Sequence, residues 1–203
     1  MDALDININE FDVKKISFDK KNDNNYNVNY ECSNFNIISE ATYNTYRSKV
    51  NSNIKKIVLL FDDYEEHEAL KNVIDLIYDE FSNYLKKSNK YKNKYKSLEV
   101  INPLGNRKYS LDIEVRESLQ NSTSLMEVDD NFKIVSPINF ETIKNSKSFN
   151  ILPIIYISNI GISNDKAYFN YVIREGYIKF KKPILQENRI SEIFKKFEKI
   201  NID

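Results

Sequence analysis

The stretch from Ile57 to Leu85 constrains the fold more than any other. Ile57, Val58, Leu59, Leu60 and Phe61 form an unbroken apolar run behind Lys55 and Lys56, the pattern of a short buried strand. Asp62, Asp63, Glu65, Glu66 and Glu68 follow at once. Asp63 and Glu66 have capping-box spacing, which predicts a helix start there. Leu70, Val73, Ile74, Ile77, Phe81, Tyr84 and Leu85 then recur at helical spacing on one face. Lys86 and Lys87 suit the negative end of the helix dipole. Nearly everything else reads as β, so this one helix is expected to plug or brace a sheet.

The flanking strands follow from their patterns. A strand is predicted over Phe11–Phe18, then a polar turn from Lys20 to Asn25. Tyr26 to Tyr30 alternates with period two, and Phe35–Ile38 is a third strand. Ala41 to Ile54 is polar and reads as a loop. Tyr109, Leu111, Ile113 and Val115 alternate with Ser110, Asp112, Glu114 and Arg116, the clearest amphipathic strand in the chain. Glu117 to Asn131 reads as a mobile loop, and Phe132–Val135 as a strand ended by Pro137. Ile151–Ile160, a turn over Gly161–Asp165, and strands over Lys166–Arg174 and Tyr177–Phe180 complete a hairpin and one further strand.

Strands, one long helix, more strands and a terminal helix fit an elaborated OB-like Greek-key barrel with its helix after the third barrel strand. A β-sandwich with a lid helix is the competing architecture. Residues 1–182 form the barrel domain in this reading. Beyond Pro183, Ile190, Ile193, Phe194, Phe197 and Ile200 mark an amphipathic helix within 183–203, an attachment rather than a barrel element.

Charge limits what the chain can bind. Thirty basic and thirty acidic residues cancel, so no global field attracts nucleic acid or anionic membrane. Binding must come from a local patch. Cys32 is the only cysteine, which leaves no internal disulfide and fits a reducing compartment. No apolar run is long enough to span a bilayer, and the acidic first residues are unlike a targeting peptide. A soluble intracellular protein is expected, with no membrane partner.

The catalytic signals are thin. His67 is the sole histidine, and Lys71 stands where a zinc-protease helix needs its second one. His67 is therefore expected to be an exposed polar residue of the first helical turn. The acids from Asp62 to Glu68 are explained by helix capping without a metal. Asp112, Glu114 and Arg116 share one strand face, an arrangement that a metal-dependent nuclease also uses. Gly105, Gly161 and Gly176 are isolated and build no phosphate cradle. No cofactor, metal ligand or catalytic residue is assigned.

Two stretches carry a binding signal. Residues 41–61 contain no acid and hold Tyr43, Tyr46, Arg47, Lys49, Lys55 and Lys56. Lys86, Lys87, Lys90, Lys92, Lys94 and Lys96 crowd the connector after the helix, with Tyr91 and Tyr95 between them. Lysines neutralise phosphates and tyrosine faces stack on unpaired bases. A solvated connector in a chain rich in Lys and Tyr is the alternative.

Two blocks in order, Ile57 to Leu85 and Leu152 to Phe180, flank the strand Arg107–Arg116. Together they resemble the OB-fold single-stranded-DNA-binding proteins of nucleocytoplasmic large DNA viruses, which are similar to certain bacteriophage single-strand-binding proteins. The tripeptide Ile157-Ser158-Asn159 stands where the family has an Ile-Ser-Gly-like step, and Lys166-Ala167-Tyr168 replaces its aromatic-Gly step. The resemblance implies non-enzymatic coating of single-stranded DNA during viral replication or recombination, in the host cytoplasm or nucleus. It implies contacts at Tyr43, Tyr46, Arg47, Lys90, Tyr91, Lys92, Lys94, Tyr95, Lys96, Lys108 and Tyr109, to which the acid-free stretch 41–61 adds Lys49. Replication proteins, or a second copy reached through 189–200, would be further partners. A structural or protein-interaction β domain is the competing function, and a metal-dependent nuclease the third.

Overall fold

The computed structural model describes residues 3–39, 41–51, 54–62, 65–87, 98–105, 110–117, 122–146 and 149–181. The fold is mainly β with one long helix. In chain order the elements are β1 (Leu4–Asn7), β2 (Ile16–Asn22), β3 (Asn25–Tyr30), β4 (Phe35–Ile38), β5 (Tyr43–Asn51) and β6 (Ile54–Leu60). Then come α1 (Glu65–Lys87), β7 (Glu99–Val100), β8 (Ser110–Val115), β9 (Ser124–Val128) and β10 (Ile134–Pro137). A short α2 (Phe140–Lys144) precedes the two longest strands, β11 (Phe149–Ser163) and β12 (Lys166–Phe180).

Five of these strands close a ring. Going round, β5 pairs β6, β6 pairs β8, β8 pairs β12, β12 pairs β11, and β11 returns to β5. All the pairings are antiparallel except β8 with β12. In chain order the ring reads first, second, third, fifth, fourth, which is the Greek-key barrel expected of an OB-like chain. Alternation fills the ring: Ile57 and Leu59 of β6, Leu111 and Ile113 of β8, and Ile151, Ile155 and Ile173 of the long hairpin are all buried. The barrel core is therefore built of β-branched and leucine side chains, each contributing about 1.5–3 kcal/mol when fully buried.

The helix position differs from the expectation. α1 joins the second and third ring strands, not the third and fourth. The third-to-fourth connection holds β9, β10 and, as its helix among the described residues, the short α2, capped by Asn139 and burying Phe140 and Ile143. The amino group of Lys55 lies 5.3 Å from the centre of the Phe140 ring. α1 packs its apolar face on the N-terminal hairpin and the tip of the long one. Phe81 meets Phe18, Tyr26 and Phe169 at 5.0, 5.4 and 5.8 Å between ring centres. Leu70, Val73, Ile74 and Ile77 are buried with it.

Outside the ring, β1 to β4 form an arm along one edge of β11. β4 pairs with β11 at Ile154 and Ile155, and β3 with it at Ile160 and Gly161. β1 lies parallel to β4, and β2 pairs with β3. Four local expectations are corrected here. Residues 41–54 are not a loop: they hold β5, the first strand of the ring. The span 117–131 contains β9, which pairs in parallel with β12. Phe11–Phe18 is not one strand, because Val13–Lys15 forms a 3₁₀ turn capped by Asp12 before β2 begins. The hairpin turn narrows to Asn164 and Asp165, both at positive φ, the two-residue type with matching twist. Gly161 lies inside β11 instead, opposite Tyr168.

Candidate functional site

The outer face of β11 is the floor of a groove of about 730 Å³. Tyr156 and Ser158 form that floor. Asn27 of β3, Asn34 just before β4 and Asn36 of β4 line it from the arm, and Arg116 and Arg174 from the barrel side. A smaller hollow of about 290 Å³ continues from it and shares Lys21, Arg116 and Ser158.

Three separate register shifts deliver side chains to this groove. In β2 the pairing passes from Lys20–Tyr26 to Asn22–Asn25, which leaves Lys21 as the extra residue of a bulge. In β11 it passes from Ile157–Tyr171 to Asn159–Asn170, leaving Ser158. In β12 it passes from Glu175–Ile154 to Ile173–Ile155, leaving Arg174. A bulge re-aims a side chain and recurs beside binding sites. Here all three extra residues line one groove.

The charges divide into paired and unpaired. On the outer face of β6 and β8, the Lys56 amine lies 4.0 Å from a carboxylate oxygen of Asp112. Lys55 is ion-paired with Glu117. Arg116 donates from Nε and Nη2 to the two carboxylate oxygens of Glu114, at 3.0 and 3.3 Å. Its guanidinium also donates to the Tyr156 hydroxyl at 3.3 Å and the Ser158 hydroxyl at 3.1 Å. The bond to Glu114 raises the Arg116 pKa further. Lys21 and Arg174, both exposed, form no ion pair among the described residues. Asp5 and Glu175 also line the groove, but each is engaged: Asn36 donates to Asp5 at 2.7 Å and Tyr177 to Glu175 at 2.9 Å.

The residues singled out in the sequence fall into three groups. Tyr43 is corrected: it is fully buried, its hydroxyl is 2.7 Å from that of Ser39, and burial pushes its pKa up to about 12. Its first-strand position faces the barrel interior, so it offers no surface to a base. Tyr46, Arg47 and Lys49 lie on β5, where another register shift falls between Tyr46–Val58 and Lys49–Lys56. Lys90, Tyr91, Lys92, Lys94, Tyr95, Lys96, Lys108 and Tyr109 lie outside the described residues, as does 183–203.

His67 is also corrected. It is 3% exposed, not a surface residue. Its Nδ1 accepts from the backbone N–H of Asp62 at 2.9 Å, so Nε2 carries the proton and donates to the Thr42 carbonyl at 3.0 Å. The imidazole thus ties the end of β6 to the start of β5. Among the described residues, no three His, Cys, Asp or Glu side chains stand where they could share a metal ion.

Sequence reasoning did not find Lys21, Arg116, Tyr156, Ser158 or Arg174 as a site. Arg116 drew notice only as part of the charged face that includes Asp112 and Glu114, and Ser158 only as the middle of the tripeptide Ile157-Ser158-Asn159.

No family model and no curated protein matches the chain. Among solved structures it is similar to the single-stranded DNA-binding protein from bacteriophage Enc34. The C-terminally truncated form aligns at 11% identity and a TM-score of 0.45, covering 84% of this chain and 98% of that one. The same protein in complex with ssDNA aligns at 11% identity and 0.44, with the same coverage. A third structure of it aligns at 14% identity and 0.44, covering 85% and 94%.

Proposed function

We propose that this chain binds single-stranded DNA without sequence preference and lays the strand along the outer face of β11. The observation that carries the reading is the convergence of three bulge residues, Lys21, Ser158 and Arg174, on one groove. Lys21 and Arg174 are available to neutralise phosphates, each releasing counterions. Tyr156, held by Arg116, offers a ring to unpaired bases. Stacking of this kind is indifferent to base identity. The β5 residues Tyr46, Arg47 and Lys49, the connector residues Lys90 to Lys96, and Lys108 with Tyr109 would extend the track as a basic-aromatic margin.

The reading includes a role and a lineage. The protein would coat exposed strands in viral DNA replication or recombination, without catalysis of its own, at the replication site in the host cytoplasm or nucleus. Its lineage would be that of the large nucleocytoplasmic DNA viruses. Asp112 and Glu114, the acids a nuclease would need, are occupied by Lys56 and Arg116, which supports binding over cleavage.

Fluorescence anisotropy of a labelled single strand of about thirty nucleotides tests this, since one OB fold covers about 4–16 nucleotides. Binding at low salt that weakens as salt rises, outcompetes duplex of the same length and leaves the strand intact with magnesium or manganese is the expected result. No affinity even at low salt would refute it.

A further inference from the structure

β10 is the last strand of the sheet path, and among the described residues its outer edge is unpaired. Its apolar side chains are exposed: Ile134 and Val135 at 60%, with Phe132 of the preceding turn at 49%. Val135 is again the extra residue of a bulge, opposite β9. An uncovered apolar edge strand templates aggregation, and native proteins often cover such an edge with a helix or loop.

We propose that residues 183–203 of the same chain fold back over this edge. The stripe of Ile190, Ile193, Phe194 and Phe197 would seat on Phe132, Ile134 and Val135. The placement follows from where the described chain ends. β12 runs parallel to β9, with Tyr177 opposite Met126 and Ile178 opposite Glu127. Its C-terminal end therefore emerges beside the turn that joins β9 to β10. The Lys179 amine is 3.0 Å from Asp130 and 5.9 Å from the centre of the Phe132 ring. The segment thus begins at the patch it would cover.

Reach agrees with this occupant. Fully extended, residues 182–188 span about 24 Å, more than the roughly 14 Å length of a four-residue strand. So short a tether gives an effective concentration on the order of millimolar, which favours this chain's own segment over a second copy. The proposal does not depend on what the groove binds.

Disulfide trapping in the full chain tests it. Cys32 is exposed and is replaced by serine; cysteines are then placed by Ile134→Cys and Phe194→Cys. Oxidation of dilute protein should give an intramolecular link, at a rate independent of protein concentration. The control pair Lys166→Cys with Phe194→Cys, at the far end of β12, should not link. Linked dimers in place of linked monomers would assign the patch to a second copy, and no linking above the control would leave the segment elsewhere; either result overturns the proposal. As a second readout, Phe194→Asp with Phe197→Asp should raise binding of a hydrophobic dye and speed amide exchange in β10 about tenfold. Unchanged dye binding and exchange would also overturn it.

Discussion

Arg116 holds Glu114 with two hydrogen bonds, at 3.0 and 3.3 Å, along the rim of the β11 groove. The pair fixes the guanidinium plane against Tyr156 and Ser158, and it also cancels the arginine's charge. Glu114→Gln should keep the geometry through the amide oxygen while freeing the charge. Single-strand affinity should rise, and the slope of log affinity against log salt should steepen by about 0.7, one extra phosphate contact. A salt titration with a labelled oligonucleotide reads this directly. Unchanged affinity and slope would mean that no phosphate passes Arg116.

His67 joins two ring strands from inside the start of α1. His67→Ala removes the acceptor for the Asp62 N–H and the donor for the Thr42 carbonyl. It also removes a ring stacked on Tyr43, 4.5 Å between centres. Leaving a buried polar group unmet costs about 1–3 kcal/mol. Thermal melting should show Tm lower by roughly 2–4 °C per kcal/mol for a chain of this size. Strand binding by the folded variant should be unchanged.

The helix face from Leu70 to Phe81 was legible in the sequence because period 3.6 survives any tertiary context. β8 was legible by its strict alternation, and β6 by its apolar run. β5 was not. Tyr43, Asn44, Thr45, Tyr46, Arg47 and Ser48 mix polar and aromatic residues, and a bulge breaks their period at Arg47–Ser48. Tyr43 was misplaced for a related reason: tyrosine is amphipathic, and only the ring closure shows which side of β5 meets the core. The groove itself was invisible. A bulge is a relation between two strands, and Lys21, Ser158 and Arg174 acquire theirs from partners that composition does not name. Ser158 was noticed only as the middle of a family-like tripeptide.

Buried tyrosines set the alkaline limit of the fold. Burial raises the Tyr43 pKa to about 12 and that of Tyr171 further, against about 10 in an unfolded chain. Below pH 10 the phenols are protonated in both states and their contribution is fully present. Between about 10 and 12 the unfolded chain releases these protons first, so stability falls as pH rises. Denaturant melts across this window should show that fall. Tyr43→Phe should flatten it while costing about 0.5–1.5 kcal/mol at neutral pH through the lost bond to Ser39.

Gly176 sits opposite Pro153 in the long hairpin, with no room for a side chain. A Cβ there would lie 2.9 Å from Ile151 Cδ1 and 3.0 Å from Leu125 Cδ2. Both neighbours are buried core atoms. Gly176→Ala should therefore destabilise by about 1–3 kcal/mol through overpacking, measured as a lower denaturation midpoint with an unchanged slope. A neutral or stabilising outcome would show that Leu125 and β9 can shift.

The central claim is that Lys21 and Arg174, brought to one groove by bulges in different strands, carry phosphates of a single strand. The most direct measurement is the salt dependence of oligonucleotide binding for Lys21→Ala with Arg174→Ala, beside the unmodified chain. Two lost contacts should weaken binding at low salt and reduce the slope of log affinity against log salt by about 1.4, with Tm unchanged because neither residue has an ion pair to lose among the described residues. A double variant with the affinity and slope of the unmodified chain would contradict the account and move the strand to another face.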